Sequence, residues 1–253
     1  MTQRFRQRDI LEILRRDGKV SVEALADQFG VTLQTIRRDL SDLAEANKIE
    51  RVHGGAVLPS GTANIQYEER RRINQRAKEA MARACAAQIA DGSSVFLNIG
   101  TSTEAVARQL RGHKDLLVVT NNMNVAEILG ENDGCHTILT GGRLRPSDGG
   151  LVGRIAVETI RQFKFDIAVI GCSALDVDGT LYDFDIEEVG VSQTIIDRSR
   201  QCFLVADHSK FNRSAPAQIA SMARLTTVFT DAELPDDLPS KCLEWETQVV
   251  VLR

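Results

Sequence analysis

The stretch Thr32-Leu33-Gln34-Thr35-Ile36-Arg37-Arg38-Asp39-Leu40 predicts a helix with one apolar face and one polar face. At about 100° per residue, Ile36, Leu40 and Leu43 fall on one stripe. The residues that point away from the stripe are Gln34, Arg38 and Ser41, flanked by Thr35 and Arg37. Thr32 is a suitable N-cap, so we expect the helix over 32–46. Its outward donors suit the phosphates and base edges of a major groove.

Two further segments frame this helix. Apolar residues at 10, 13 and 14 predict a first helix, and 21–29 predicts a second helix that Gly30 ends. Residues 48–57 predict two short strands around Gly54-Gly55. This order is typical of a winged helix-turn-helix on double-stranded DNA, although a small helical subdomain with a solvated charged face is the alternative. The predicted DNA contacts are Thr32, Gln34, Thr35, Arg37, Arg38, Ser41, Arg51 and His53.

Charge is distributed unevenly along the 253 residues. Residues 1–76 carry 14 basic and 11 acidic side chains, net +3, whereas 77–253 carry 17 and 24, net −7. The chain is 43% hydrophobic and 26% charged, which suits two globular domains. A net charge of −4 is therefore compatible with DNA binding by the first part of the chain.

Cysteine and histidine spacing indicates neither disulfides nor a metal site. The five cysteines form no CxxC pair, and the four histidines are equally scattered. No apolar stretch has the length of a membrane span or a signal peptide. We expect a cytoplasmic protein with reduced thiols, no cofactor and no membrane contact.

The domain boundary is predicted at a segment rich in Pro, Gly and Ser. We expect a DNA-binding domain over 1–57, a linker over 58–66 and an effector-sensing domain over 67–253. A helix rich in Glu, Arg and Ala is predicted from 67 to 90. Its run Arg70-Arg71-Arg72 is interpreted as a solvated face rather than a DNA contact.

Apolar runs alternate with helical stretches after Gly92. Near-continuous apolar strands separated by helices predict an α/β domain with a mostly parallel sheet covered on both faces. Ligands of such sheets bind beyond the carboxyl ends of the strands. The predicted strands are 94–99, 116–120, 137–140, 166–171, 202–206, 225–230 and 247–252.

The loop Asn98-Ile99-Gly100-Thr101-Ser102-Thr103-Glu104 is the leading ligand candidate. Thr101 and Glu104 have capping-box spacing, which predicts a helix starting at Thr101. Free N–H groups there, with hydroxyls and a glycine, form a phosphate cradle, and an ordinary capped turn is the alternative. The candidate effector contacts are Gly100, Thr101, Ser102, Thr103, Asn121, Asn122, Gly141, Gly142, Arg145 and Lys210, of which Asn121, Asn122, Gly141 and Gly142 equally suit turns.

Several motifs together resemble the DeoR-type bacterial transcriptional regulators over nearly the whole chain. They are Arg6-x3-Ile10-x3-Leu14, Thr32-x2-Thr35-Ile36-Arg37-Arg38-Asp39-Leu40, His53-Gly54-Gly55-Ala56, Gly100-Thr101-Ser102-Thr103, Val119-Thr120-Asn121-Asn122, Thr140-Gly141-Gly142 and Asp207-His208-Ser209-Lys210-Phe211. The resemblance implies a homo-oligomeric repressor whose sensor domain is similar to sugar-phosphate isomerases. It also implies release from the operator by a phosphorylated sugar or polyol. Residues 121–126, 145–150 and 184–189 favour glycerol 3-phosphate.

The chain departs from the family pattern at three positions. Ser192 stands where relatives commonly carry Lys, and Gly190 stands where a basic residue is frequent. Asn98 stands where family members often have Asp. Without these two positive charges the effector's identity stays open. The absence of a negative charge at Asn98 partly compensates for their loss near a bound phosphate.

Two other classes of protein remain as alternatives. Asp185, Glu187 and Glu188 offer a general base for aldose-ketose isomerisation, which needs a carboxylate beside the substrate carbon. Acidic side chains on a solvated helix are the simpler interpretation, and a shared fold does not carry activity. An architectural DNA protein without an effector is the third class, and ligand-dependent DNA release would exclude it.

Overall fold

The computed structural model describes residues 2–46, 48–57 and 65–252. Its first part consists of three helices and three short strands. These elements are α1 (Gln3–Asp17), β1 (Lys19–Ser21), α2 (Val22–Phe29), α3 (Leu33–Glu45), β2 (Glu50–Val52) and β3 (Gly55–Val57). Their apolar side chains form one separate core, which includes Ile10, Ile36 and Leu40.

The decisive helix forms as its sequence predicts. Thr32 precedes α3, and its hydroxyl accepts a hydrogen bond from the Thr35 N–H at 3.2 Å. Gly30 ends α2 in the left-handed conformation. The predicted hairpin is confirmed, with β2 and β3 antiparallel. The sequence analysis missed β1, which pairs with β3 on its other side, because this three-residue strand is not joined to its partner by a Gly-Gly turn as β2 and β3 are.

The single helix predicted over 67–90 is wrong. The chain forms α4 (Tyr67–Arg72) and α5 (Gln75–Ala86), with Asn74 between them at φ 52°. Asn74 adopts this left-handed conformation where its amide reaches Arg16 and Asp207, residues distant in sequence. Tertiary contacts therefore accompany a break that the helix propensity of the segment does not indicate.

Residues 65–252 build the predicted sensor domain around one parallel sheet. Its strands are β4 (Ser94–Leu97), β5 (Leu116–Thr120), β6 (Cys135–Leu139), β7 (Arg143–Arg145), β8 (Gly150–Val152), β9 (Phe165–Ile170), β10 (Ala174–Leu175), β11 (Thr180–Asp183), β12 (Ser199–Val205), β13 (Ala217–Ser221), β14 (Thr227–Thr230) and β15 (Gln248–Val251). Its helices are α6 (Thr101–Gln109), α7 (Met123–Gly130), α8 (Arg154–Arg161), α9 (Ile186–Asp197) and α10 (Leu238–Glu244), with short 3-10 helices at Leu110–Gly112, His208–Asn212 and Met222–Arg224.

All seven predicted strands lie in this sheet. The strand order is β15-β14-β12-β9-β4-β5-β6, and every pair is parallel. Successive residues of β4 face opposite layers: Val95 and Leu97 pack in one core cluster with α5, α6 and α7, and Phe96 packs in the other with α8 and α9. The sheet is thus covered on both faces, as its near-continuous apolar strands require.

The strand order fixes where a ligand crevice opens. The chain runs outward from β4 through β5 and β6, then returns to β9 on the other side of β4. Connections therefore diverge between β4 and β9, and such a switch point leaves a crevice at the carboxyl ends of the strands. The β7–β8 hairpin and the small antiparallel sheet β10-β11-β13 were not predicted, since their strands are short.

Candidate functional site

The exposed face of α3 carries most of the predicted DNA contacts. Gln34, Arg37 and Arg38 are exposed, whereas Ile36 and Leu40 are fully buried. Thr35 is half-buried, and its hydroxyl lies 2.9 Å from that of Thr32. The surface therefore offers amide and guanidinium donors beside the N-terminus of a helix, a combination that suits phosphates and base edges.

The wing is fastened to α3 through Arg51. Its guanidinium donates to the Arg37 carbonyl and to the Ser41 hydroxyl, each at 3.2 Å. The Ser41 hydroxyl itself donates to the Arg37 carbonyl at 2.9 Å. Arg51 and Ser41 therefore position the wing beside α3, and His53 stands exposed at the turn between β2 and β3.

A buried ion pair ties α1 to α3. Arg6 donates to Asp39, and both side chains are almost completely buried. Gln3 donates to Asp42 at 2.6 Å beside it. Breaking a buried pair leaves an uncompensated charge, so this contact couples α1 to α3, which also share one apolar core.

A small cavity lies at the switch point of the sensor sheet. It is lined by residues that follow β4, β9 and β12 and by residues of the α4–α5 segment, and its volume is about 30 Å³. The lining residues are Arg70, Ile73, Lys78, Ile99, Gly100, Thr101, Ser102, Gly171, Cys172, Ser173, Asp183, Glu188, Val205, Asp207, Lys210 and Arg213. We call this cavity the switch-point pocket.

The N-terminus of α6 lines this pocket through Gly100, Thr101 and Ser102. Gly100 caps α6 at φ 143° and provides no side-chain acceptor. The predicted capping box at Thr101 and Glu104 is therefore wrong. Glu104 is buried and instead accepts hydrogen bonds from the Tyr67 hydroxyl at 3.0 Å and from the Asn124 amide at 3.2 Å.

Four cationic side chains line the switch-point pocket. They are Arg70, Lys78, Lys210 and Arg213. The Nε atoms of Arg70 and Arg213 are buried without a hydrogen-bond partner. A buried guanidinium donor without an acceptor is costly, so this wall is electrostatically prepared for an anion.

Burial and the neighbouring positive charges lower the pKa values of the two lysines in this wall. Burial, together with Lys210, lowers the pKa of Lys78 to about 7. Burial, together with Arg213, lowers the pKa of Lys210 to about 8. Burial acts to raise the pKa of Asp207, but Lys210, Ser209 and Arg213 hold it well below its usual range. Asp207 is thus an anion among cations whose charged forms are disfavoured.

Two carboxyl groups line another part of the pocket. Burial and the neighbouring Asp183 raise the pKa of Glu188 to about 8, and burial likewise raises the pKa of Asp183. Arg145 supports this wall, since it contacts Glu188 at 2.6 Å and Asp185 at 2.9 Å. At neutral pH the pair therefore retains a proton and offers both a hydrogen-bond donor and acceptors.

The structure brings only part of the predicted effector set together. Gly100, Thr101, Ser102 and Lys210 line the switch-point pocket. The remaining candidates lie outside its lining. The Thr103 hydroxyl donates to the Asn98 carbonyl, Asn121 donates to the Leu151 carbonyl, and Asn122 caps α7. Gly141 and Gly142 adopt positive φ before β7, and Arg145 pairs with Asp148, Asp185 and Glu188.

Sequence analysis missed five charged residues of the pocket, which are Arg70, Lys78, Asp183, Asp207 and Arg213. Arg70 was interpreted as solvated, yet its side chain is 16% exposed and pairs with Asp148 at 2.9 Å. Arg71 and Arg72 are exposed, as predicted. Lys78, Asp207 and Arg213 were not singled out, although Asp207 and Lys210 share one motif and that spacing was the available signal.

Other expectations concern the whole chain. Among residues 2–46, 48–57 and 65–252, no helix is long and apolar enough to cross a membrane. Within the same ranges, no cluster of His, Cys, Asp and Glu is arranged to hold a metal ion. The five cysteines are free thiols.

Comparisons with known proteins agree with this architecture. Over 235 residues the chain is 45% identical to the glycerol-3-phosphate regulon repressor of Escherichia coli (strain K12), covering 93% of each protein. Over 251 residues it is 41% identical to the glycerol-3-phosphate regulon repressor of Haemophilus influenzae, covering 99% of this chain and 98% of the relative. A solved D-ribose-5-phosphate isomerase in complex with phospho-erythronic acid is 16% identical over 54% of each chain, at a TM-score of 0.41, which carries no argument about activity.

Both parts of the chain match families of known domains. Residues 6–62 match the DeoR-like helix-turn-helix domain. Residues 73–232 match the DeoR C terminal sensor domain. The chain therefore belongs to the DeoR family.

Proposed function

We propose that this protein is a transcriptional repressor that binds operator DNA through α3 and is released by a phosphorylated polyol or sugar. Glycerol 3-phosphate is the leading effector, since the curated relatives described above are named as repressors of the glycerol-3-phosphate regulon. The observation that carries the effector half is the pair of unpartnered Nε donors, from Arg70 and Arg213, in the switch-point pocket.

For the DNA half, we propose that Gln34 and Arg38 contact base edges from the exposed face of α3. Thr32, Thr35 and Arg37 contact phosphates near the helix N-terminus, and His53 does so from the wing. Ser41 and Arg51 hold the wing at the angle the groove requires, as their mutual hydrogen bond supports. A module with this division of contacts reads bases and fixes its register on the backbone.

For the effector half, the pocket combines features that suit one class of ligand. A phosphate would accept from the N–H groups of α6 and from Lys78, Lys210 and Arg213, relieving the repulsion among these cations. Asp183 and Glu188 would bind the hydroxyl groups of the polyol. Glycerol without phosphate lacks the charge that the cationic wall requires.

Catalysis is the weaker candidate. Of the three carboxylates considered for isomerisation, Glu188 lines the pocket, whereas Asp185 caps α9 and Glu187 pairs with Arg143 at the surface. The Glu188 carboxyl is held by Arg145 at 2.6 Å, an ion pair that suits a fixed binding group rather than a general base, and a shared fold does not carry activity. Incubation with sugar phosphates should therefore give binding without turnover.

We further propose that the protein acts as a homo-oligomer in the cytoplasm. Helix-turn-helix proteins commonly bind two half-sites as symmetric dimers, and a cytoplasmic location would place the protein with its operator DNA. We also propose the division into a DNA-binding domain over 1–57, a linker over 58–66 and a sensor domain over 67–253. Residues 58–64 lie outside the described ranges. Sedimentation analysis with and without operator DNA tests the assembly.

The central experiment is calorimetric titration with glycerol 3-phosphate and with glycerol, paired with operator mobility shifts. Only the phosphate should bind, and it should release the operator. Lys210→Ala should weaken binding, whereas Lys241→Ala, at the distant helix α10, should not. Fructose 1-phosphate and fructose 6-phosphate serve as rival effectors. Binding of none of the three phosphates would overturn the sugar-phosphate assignment.

A further inference from the structure

The sensor domain grips the end of α1 at three consecutive carbonyls. The Arg15 carbonyl accepts from Arg213 at 3.0 Å, the Arg16 carbonyl from Asn74 at 3.1 Å, and the Asp17 carbonyl from Asn212 at 2.8 Å. The last carbonyls of a helix have no partner within the helix, and its C-terminus is partially negative. Arg213 therefore meets a favourable dipole. We call these three hydrogen bonds the α1 latch.

Glycine makes this close approach possible. A Cβ atom at Gly18, which follows α1 at φ 76°, would lie 2.3 Å from the Cβ atom of Asn212. An ion pair between Arg15 and Glu69, at 2.9 Å, lies beside the latch. The contact is thus a fitted junction between the helix-turn-helix and the sensor domain.

The latch residues also reach the switch-point pocket. Arg213 lines it, and Asn74 donates to Asp207, another lining residue, at 2.8 Å. A second, open cleft of about 980 Å³ lies between α1 and the α4 segment. Ile73 and Arg213 line both this cleft and the pocket. Ile73 and Arg213 thus form a wall between the open cleft and the pocket.

The pocket is too small for a sugar phosphate behind this wall. Its volume of about 30 Å³ suits one or two water molecules, whereas small-molecule sites usually enclose roughly 300 to 1,000 Å³. Admitting the effector requires the wall to move. Since Arg213 belongs to both the wall and the latch, the pocket cannot open without straining the grip on α1.

We propose that the α1 latch couples the effector pocket to the DNA-binding unit, and that effector binding and latch closure are mutually exclusive. This inference rests on the proposed function. A phosphate bound at the free Nε of Arg213 draws the guanidinium toward the pocket and its NH2 group away from the Arg15 carbonyl, because a guanidinium bonds more strongly to an anionic oxygen than to a neutral carbonyl. Opening frees α1, and α3 moves with it through the Arg6–Asp39 pair. The closed latch holds the orientation that binds operator.

The test uses Asn212→Ala, because Asn212 contributes to the latch and does not line the pocket. Losing one part-buried hydrogen bond should shift the closed–open equilibrium roughly two- to tenfold toward open. Glycerol 3-phosphate should then bind about two- to tenfold more tightly and release operator at correspondingly lower concentration. Ser214→Ala, an exposed cleft residue in the same loop, is the matched control and should change neither value.

The outcomes separate this inference from the proposed function. If glycerol 3-phosphate fails to bind the unaltered protein, the effector assignment fails. If it binds the unaltered protein and Asn212→Ala leaves its affinity unchanged or weaker, the latch is refuted. Thermal unfolding checks that the variant is folded. Asn74→Gly, which retains the left-handed conformation and removes the amide, provides a second variant with the same expected gain in effector affinity.

Discussion

Asn98 donates its side-chain amide to the hydroxyl of Ser192 across 2.9 Å, and both side chains are buried. These are two of the three positions at which the sequence analysis predicts a departure from the family's residues. In this structure the two side chains form a neutral hydrogen-bonded pair. A charge introduced at one position would therefore lie beside the other position. Ser192 does not line the switch-point pocket, and the pocket's cations come from other positions.

The pair predicts a compensation between substitutions. Asn98→Asp alone should bury a carboxylate beside a hydroxyl and lower the free energy of unfolding by about 1 to 3 kcal/mol. Adding Ser192→Lys should recover part of this loss, because the two charges then pair. Urea unfolding of the two single variants and the double variant measures the coupling. Additive losses would contradict the pairing.

The exposed face of α3 predicts a loss of operator affinity for Arg38→Ala. Removing a base or phosphate contact should cost about 1 to 3 kcal/mol of operator binding and leave glycerol 3-phosphate binding intact. Mobility-shift titration measures the first value and calorimetry the second. Arg111→Ala, an exposed arginine of the sensor domain, is the control. Equal operator affinity for both variants would remove Arg38 from the interface.

Operator binding should also weaken steeply with salt. Each phosphate neutralised by the arginines of α3 and the wing releases counterions, giving a log–log slope of about −0.9 per contact. The slope for Arg38→Ala compared with the unaltered protein shows whether Arg38 meets a phosphate or a base. A flat salt response of the unaltered protein would count against docking through this face.

Thr101→Glu should produce a repressor that no longer responds to its effector. Thr101 is the first residue of α6, lines the pocket and is 8% exposed, so a carboxylate there repels a phosphate at close range. We expect glycerol 3-phosphate binding to fall at least about tenfold, or 1.4 kcal/mol, with operator affinity unchanged. Arg108→Glu, at the exposed last turn of α6, is the control. Normal release of operator by Thr101→Glu would place the phosphate elsewhere.

Effector affinity should fall as the pH rises above about 7. The lysines have pKa values of about 7 and about 8, and the charged groups that face Lys78 are Arg70, Asp207, Lys210 and Arg213. A bound phosphate favours the charged lysines and raises both pKa values, so binding takes up protons in this window. Below about pH 6 the phosphate itself gains a proton, which weakens binding from the acid side.

Calorimetry of this proton uptake uses buffers with different ionisation enthalpies. Lys78→Arg keeps the positive charge at every pH and should reduce the uptake near pH 7. An affinity that is constant from pH 7 to pH 9 would show that neither lysine meets the phosphate.

Local periodicity determined much of this protein from sequence alone. The stripe of Ile36, Leu40 and Leu43 predicted α3, and the apolar runs predicted all seven strands of the parallel sheet. In each case the signal lies within one segment, because a helix or a buried strand repeats its exposure every few residues. Thr32 as N-cap and Gly30 as helix end follow from the same short range.

Only the tertiary structure decided the pocket and the junction. The Asn74–Asp207 hydrogen bond joins positions 133 residues apart, and the Arg213–Arg15 bond spans 198. No local sequence pattern predicts contacts between such distant positions. A charged residue such as Arg70 looks the same in the sequence whether it is solvated or buried. The segment around Asn74 has a helical sequence, yet it breaks where its amide is needed by two distant partners, because three-dimensional packing outweighs the small differences in helix propensity.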